Sequence, residues 1–434
     1  MKMKKRGLKI NFLIIMIITL MFGMAFSVMG AETEKTESKP DEIIVWGKTF
    51  GGKRIDKSYS INQTSDGGYI IAGETFSSGS GKADVYIIKL DSKGEKVWEK
   101  TFGGKEIDNA TFIQQTSDGG YIVAGSTQSF GSGKADAYVI KIDGKGEKVW
   151  EKTFGGKELD SAQSIQETSK GGYILAGTTY SLGSGKGDAY IVKLDGKGNK
   201  VWEKAFKGND TARAHSVKQV SDGGYIFAGT TYSFTSGGGD AYIVRLDSKG
   251  NKVWEKMFGE KGRGLANDIQ QVSDGGYIVA GQISSSEPDK TAAYVIKLDN
   301  KGNKEWDKRF ETKDLDAASF VSGKELKGAN ANSIHETSDG GYIAVMYIYS
   351  KIRIDDAYII KLDGKGNDIW KKTIGLKQLD KEYAELFRGS ASVNAYSINQ
   401  TADKGFIVAG EITDASQGIS DIYIIKTDPN GVVY

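Results

Sequence analysis

Short apolar runs alternate with glycine-centred turns along nearly the whole chain. Residues 60–64 alternate apolar with polar side chains, the period-two pattern of a half-buried strand. Asp66-Gly67-Gly68 follows, where glycine supplies the positive φ of a hairpin turn. Residues 69–75 form a β-branched and aromatic run, predicting a second strand, and residues 85–90 predict a third. Asp91-Ser92-Lys93-Gly94 is a second tight turn, with Asp first and Gly fourth, and residues 96–102 predict a fourth strand. The second and third strands are close to continuously apolar, so both their faces should be covered. None of these repeating segments carries a 3.6-residue apolar stripe, which argues against helices there.

This unit recurs. The Asp66-Gly67-Gly68-Tyr69 stretch returns at Asp118, Lys170, Asp222, Asp274, Asp339 and Asp403, the first five copies starting every 52 residues. A period near fifty marks a solenoid, propeller or array. Seven four-stranded antiparallel units predict an all-β fold, a seven-bladed β-propeller. The last copy ends after its third strand, whereas residues 43–50 match a fourth strand with no first strand before it. The N-terminal strand is therefore expected to pair into the last blade and close the ring, leaving no open sheet edge.

The first thirty residues are a separate object. Lys2, Lys4, Lys5, Arg6 and Lys9 precede an apolar stretch, and Val28-Met29-Gly30-Ala31 offers small residues for cleavage. Residues 1–31 read as an export signal, with an uncleaved membrane anchor as the alternative. Residues 32–41 read as a charged linker and 42–434 as the propeller. The expected location is secreted or cell-surface. Lys plus Arg (58) nearly balances Asp plus Glu (56), so net charge gives no reason to expect nucleic acid as a partner. Cysteine is absent, excluding disulfides and thiolate metal sites.

The segment from Asp91 to Trp98, with Gly103 after it, resembles the tryptophan-docking repeat of quinoprotein (PQQ-like) propellers. The matching tryptophans are Trp46, Trp150, Trp202, Trp254, Trp306 and Trp370. The chain as a whole resembles secreted bacterial and archaeal propeller-repeat proteins with Asp-Gly-Gly-Tyr-Ile-Val-Ala-Gly units. That resemblance implies an extracellular propeller and little about activity.

A residue present in every blade is most simply explained by the blade. The tryptophans are expected to anchor adjacent sheets. Gln63, Gln115, Glu167, Gln219, Gln271, Glu336 and Gln400 share one position of the first strand, a candidate ring facing a polar central channel. Histidine occurs only at 215 and 335, with no zinc-protease motif or nucleophile elbow. No catalytic, cofactor or metal residue is assigned, and no cofactor is expected. Irregularity gathers on the face holding the second-to-third and fourth-to-first connections. Two fourth-to-first connections, 307–332 and 371–396, carry 13 extra residues each. Phe76, Phe130, Tyr180, Tyr232, Phe234 and Tyr349 from the other loops, with Tyr383, Phe387 and Arg388 from the second insertion, form a candidate binding face. The expected function is a non-catalytic module binding protein or glycan at the cell surface. A polysaccharide hydrolase or lyase with carboxylates at the channel mouth is one alternative. A quinone- or metal-dependent propeller enzyme is another.

Overall fold

A computed structural model describes residues 45–206, 211–232, 238–259, 264–285, 290–313, 326–350, 356–374, 391–414 and 418–433. The leader and the charged linker lie outside the described residues. So do residues 314–325 and 375–390 of the two long connections, including the stretch 378–387, whose sequence suggests one or two helical turns.

Among the described residues the fold is all-β. The first quartet is β2 (Asp56–Gln63), β3 (Tyr69–Thr75), β4 (Asp84–Leu90) and β5 (Lys96–Phe102). They pair antiparallel in chain order. Quartets of the same order follow within 108–154, 160–206, 212–258, 265–310 and 326–374. The last three strands, β26 (Ala391–Gln400), β27 (Phe406–Asp414) and β28 (Ile419–Thr427), take their fourth partner from the other end of the chain. It is β1 (Trp46–Phe50), antiparallel to β28 with Trp46 opposite Lys426 and Phe50 opposite Ile422. One parallel pair, Thr291 with Gly328, joins the fifth and sixth quartets into a single sheet. Equivalent single bridges, Ala83 with Ile107 and Ile55 with Ser420, mark other junctions.

Every residue of β3 and β4 is buried, as nearly continuous apolar runs lead one to expect, and Glu74, Asp84 and Lys89 are buried with them. The apolar side chains of one quartet pack on the next, so Ile70, Val85 and Ile87 share a core with Ile113, Tyr121 and Ile140. The tryptophans fasten this stacking. Trp98 meets Tyr121 of the following quartet edge-on at 6.1 Å, and Trp150 meets Tyr173 at 5.9 Å. Trp46 of β1 meets Tyr69 of the first quartet in the same way at 5.7 Å. Each indole also covers a turn glycine. Gly94, at φ +77°, sits so close that an added Cβ would lie 2.7 Å from the Trp46 ring.

A second fastening repeats at every junction. The Gln115 side-chain oxygen accepts the Ser65 N–H at 2.8 Å, Glu167 that of Ser117 at 2.7 Å, and Gln219 that of Ser169 at 2.7 Å. Gln271, Glu336 and Gln400 do the same for Ser221, Ser273 and Ser338 at 2.8 Å. Gln63 accepts the N–H of Ala402 at 2.8 Å.

One departure from the repeat leaves an orphan. Tyr86, Tyr190 and Tyr242 donate to Glu99, Glu203 and Glu255 of the neighbouring fourth strand at 2.5, 2.5 and 2.7 Å. The equivalent of Glu99 in β1 is Gly47, and the buried Tyr423 hydroxyl has no partner. Gly47→Glu is expected to raise stability by about 1–2 kcal/mol, from a restored hydrogen bond and a stiffer strand. Urea unfolding measures it; an unchanged or lowered midpoint would contradict this account of the orphan.

Candidate functional site

All seven first strands carry a β-bulge at the same place, between Ser58 and Ser60 in β2 and between Ala395 and Ser397 in β26. A bulge leaves one residue unpaired and re-aims its side chain. The bulged residues are Tyr59, Thr111, Gln163, His215, Asn267, Asn332 and Tyr396, a position the repeat leaves free to vary. Six of them line a polar cavity of about 280 Å³ between the first strands. Asn62, Lys218, His335 and Asn399 line it too. The Gln63 ring does not appear in this lining; its side chains are occupied by the junction hydrogen bonds. Both histidines are half-buried in the cavity wall and held below the usual imidazole range. Burial is the main cause for each, and His335 falls to about 4 despite the nearby Asp268. The His215 Nδ1 lies 2.9 Å from the Ala266 carbonyl oxygen. Among the described residues no group of three or more His, Asp or Glu is placed to hold a metal ion.

A larger cleft of about 600 Å³ opens where the second strands end and the first strands begin. Its walls come from Gln282, Tyr347, Tyr349, Asn394, Tyr396 and Glu411, with Lys57 and Ser420. Tyr396 lines both spaces, so the cleft adjoins the inner cavity. The position after the second-strand glycine explains its place. It holds small Ser126, Thr178 and Thr230 in the second to fourth quartets, but Gln282, Tyr347, Glu411 and Glu74 in the others.

The Tyr396 hydroxyl donates to Glu411 at 2.7 Å, and the Tyr59 hydroxyl donates to Glu74 at 2.9 Å. The two rings lie 5.5 Å apart. Burial first, then the adjacent carboxylates, push both phenols well above their ordinary range. Beside the cleft, Asp56 and Asp421 face each other. Burial, then the Asp56 charge, raise the Asp421 carboxyl to about 6.

Of the candidate aromatics, Tyr349 lines the cleft, its hydroxyl 2.8 Å from the Gln282 amide nitrogen. Phe76, Phe130, Tyr180 and Tyr232 do not. Phe130 packs against Tyr138 at 5.9 Å, and Tyr232 stands exposed on its own quartet. Phe234, Tyr383, Phe387 and Arg388 lie outside the described residues. Sequence reasoning passed over Lys57, Asn394, Tyr396 and Glu411. Their signal was that they stand at repeat positions whose residue changes from quartet to quartet.

Residues 39–237 match the family model described as outer membrane protein assembly factor BamB. The regulatory protein FlaEY of Caulobacter vibrioides is 27% identical over 164 residues. That match covers 32% of this chain and 17% of the length of that relative. Among solved structures, Drosophila Plexin A in complex with Semaphorin 1b is similar at a TM-score of 0.45 and 10% identity, covering 88% of each chain. Sqt1 from Chaetomium thermophilum is similar at 0.44 and 10% identity, covering 90% of this chain and 99% of that one. The repeated four-stranded antiparallel sheets, with the match over residues 39–237, support a PQQ-like β-propeller.

Proposed function

We propose that this chain is an exported, seven-bladed propeller, closed by β1, that binds protein or glycan at the cell surface without catalysing a reaction. The pairing of β1 with β28, the Trp46–Tyr69 contact and the Gln63–Ala402 hydrogen bond support closure. The basic-then-apolar leader, residues 1–31, supports export, with a retained anchor as its other outcome. One observation carries the binding reading: the scaffold positions repeat, while several large and charged departures meet in one cleft on the irregular loop face.

Glycan arrays and binding to intact cells, each with the exported protein, test this reading. Tyr349→Ala combined with Tyr396→Ala is expected to weaken binding at least tenfold. Equal binding by a variant that keeps its unfolding temperature would reject the cleft. Absence of binding to any glycan or cell-surface protein would reject the function.

A further inference from the structure

One carboxylate, Glu411, lines the cleft and three more lie buried beside it, against one lysine, Lys57, in the lining. Glu74, Glu411, Asp56 and Asp421 are all buried where the last strands meet the first quartet, at 8, 7, 0 and 4% exposure. Lys57 lies among them, its Nζ 3.8 Å from Glu74 and 3.9 Å from Glu411. Both distances exceed a hydrogen bond, so one lysine is shared loosely between two glutamates. A buried carboxylate is costly unless a cation or several donors offset it.

The atoms left unmet are acceptors. Glu411 Oε1 takes the Tyr396 hydroxyl and, at 3.3 Å, the Asn394 amide. Beyond the loose Lys57 contact of Glu411 Oε2, neither that atom nor Asn394 Oδ1 has a hydrogen-bond partner, and both residues line the cleft. An occupant must therefore bring N–H or O–H donors and should bring positive charge. Tyr347, Tyr349 and Tyr396 add aromatic surface, which attracts cations. The quartets with Ser126, Thr178 and Thr230 at the Glu411 position have no such carboxylate, so the repeat does not require it.

We propose that this cleft binds a primary ammonium group, carried by a free alkyl diamine or by a lysine side chain of a protein partner. The proposal rests on the binding-face reading and gives it a chemistry. An ammonium offers three donors, enough for Glu411 Oε2 and Asn394 Oδ1 together. A quaternary ammonium offers none and would leave both unmet. Lys57 competes for the same carboxylates, which gives the proposal an unusual sign: removing that lysine should strengthen binding. A glycan held by hydrogen bonds from Lys57 would instead be weakened.

Calorimetry on the exported protein tests it with cadaverine, Nα-acetyl-lysine methylamide and tetramethylammonium. Cadaverine, the lysine amide or both are expected to bind, and tetramethylammonium at least tenfold more weakly. Binding of cadaverine alone would identify a free amine, and binding of the lysine amide a protein side chain. Glu411→Gln, nearly isosteric, should lose at least tenfold in affinity with its unfolding temperature retained. Lys57→Met should gain several-fold. No amine binding, equal binding by Glu411→Gln, or weaker binding by Lys57→Met would overturn the proposal. If amines fail while Tyr349→Ala with Tyr396→Ala still abolishes glycan or cell binding, only the ammonium chemistry falls. If both fail, the binding face falls with it.

Discussion

Trp46→Ala is expected to cost about 3–5 kcal/mol, at least as much as Trp150→Ala inside the chain. Trp46 is 8% exposed and packs edge-on against Tyr69 while covering Gly94. The alanine variant loses that buried surface and opens a cavity between β1 and the first quartet. In the proposed ring this junction equals the others, so truncating either indole should give similar losses. In an array open at this point, Trp46 would stand at a frayed terminus, and its loss would stay within about 0.5 kcal/mol. Denaturant unfolding of the two variants side by side decides between them. Gly94→Ala offers an independent check, because φ +77° and a Cβ 2.7 Å from the same indole both oppose it.

The strands were legible where the chain alternates or runs apolar without interruption. The expected bounds 69–75 and 96–102 coincide with β3 and β5. The alternation places the start of the first strand at residue 60, yet β2 begins at Asp56. The bulge at Tyr59 is the reason: one extra residue shifts the alternation, so the pattern before it falls out of phase. Asp91 reads as a turn former, and its carboxylate accepts the N–H groups of Lys93 and Glu95 at 2.9 and 2.8 Å. The Gln63 position was visible as a repeat. Its partner was not, because that partner is a backbone N–H of another quartet. The cleft was hidden for a related reason. Lys57 and Glu411 stand near opposite ends of the chain, and only folding sets them 3.9 Å apart.

Lys170→Asp should stabilise the protein by about 1–2 kcal/mol, and Asp118→Ala should destabilise it by about 2 kcal/mol. The shared cause is a buried lysine in the third strand of the repeat. Lys89, Lys141, Lys361 and Lys426 are at most 4% exposed, and each meets the aspartate of its own hairpin turn within 2.8–3.0 Å. In the third quartet that aspartate is Lys170. There Lys193 is left with Thr168 Oγ1 at 3.2 Å and the Leu194 carbonyl at 2.8 Å. Burial lowers the Lys193 ammonium, and the more distant Asp195 does not restore it. An aspartate at 170 would supply the missing partner. Removing Asp118 creates the same deficit at Lys141; its 63% exposed side chain keeps the cost below that of a fully buried pair. Burial alone would raise the Asp118 carboxyl. Hydrogen bonds from Thr116, the Gly120 N–H and Lys141 outweigh it and hold the group down at about 2. A carboxyl depressed in the folded state stabilises above its unfolded value, near 4, and loses that contribution as pH falls toward 2. The gap between wild type and Asp118→Ala should therefore be full at pH 7 and shrink between about pH 4 and pH 2. A gap that stays constant across that window would mean the aspartate acts only as a turn former, and Lys170→Asp would then bring no gain.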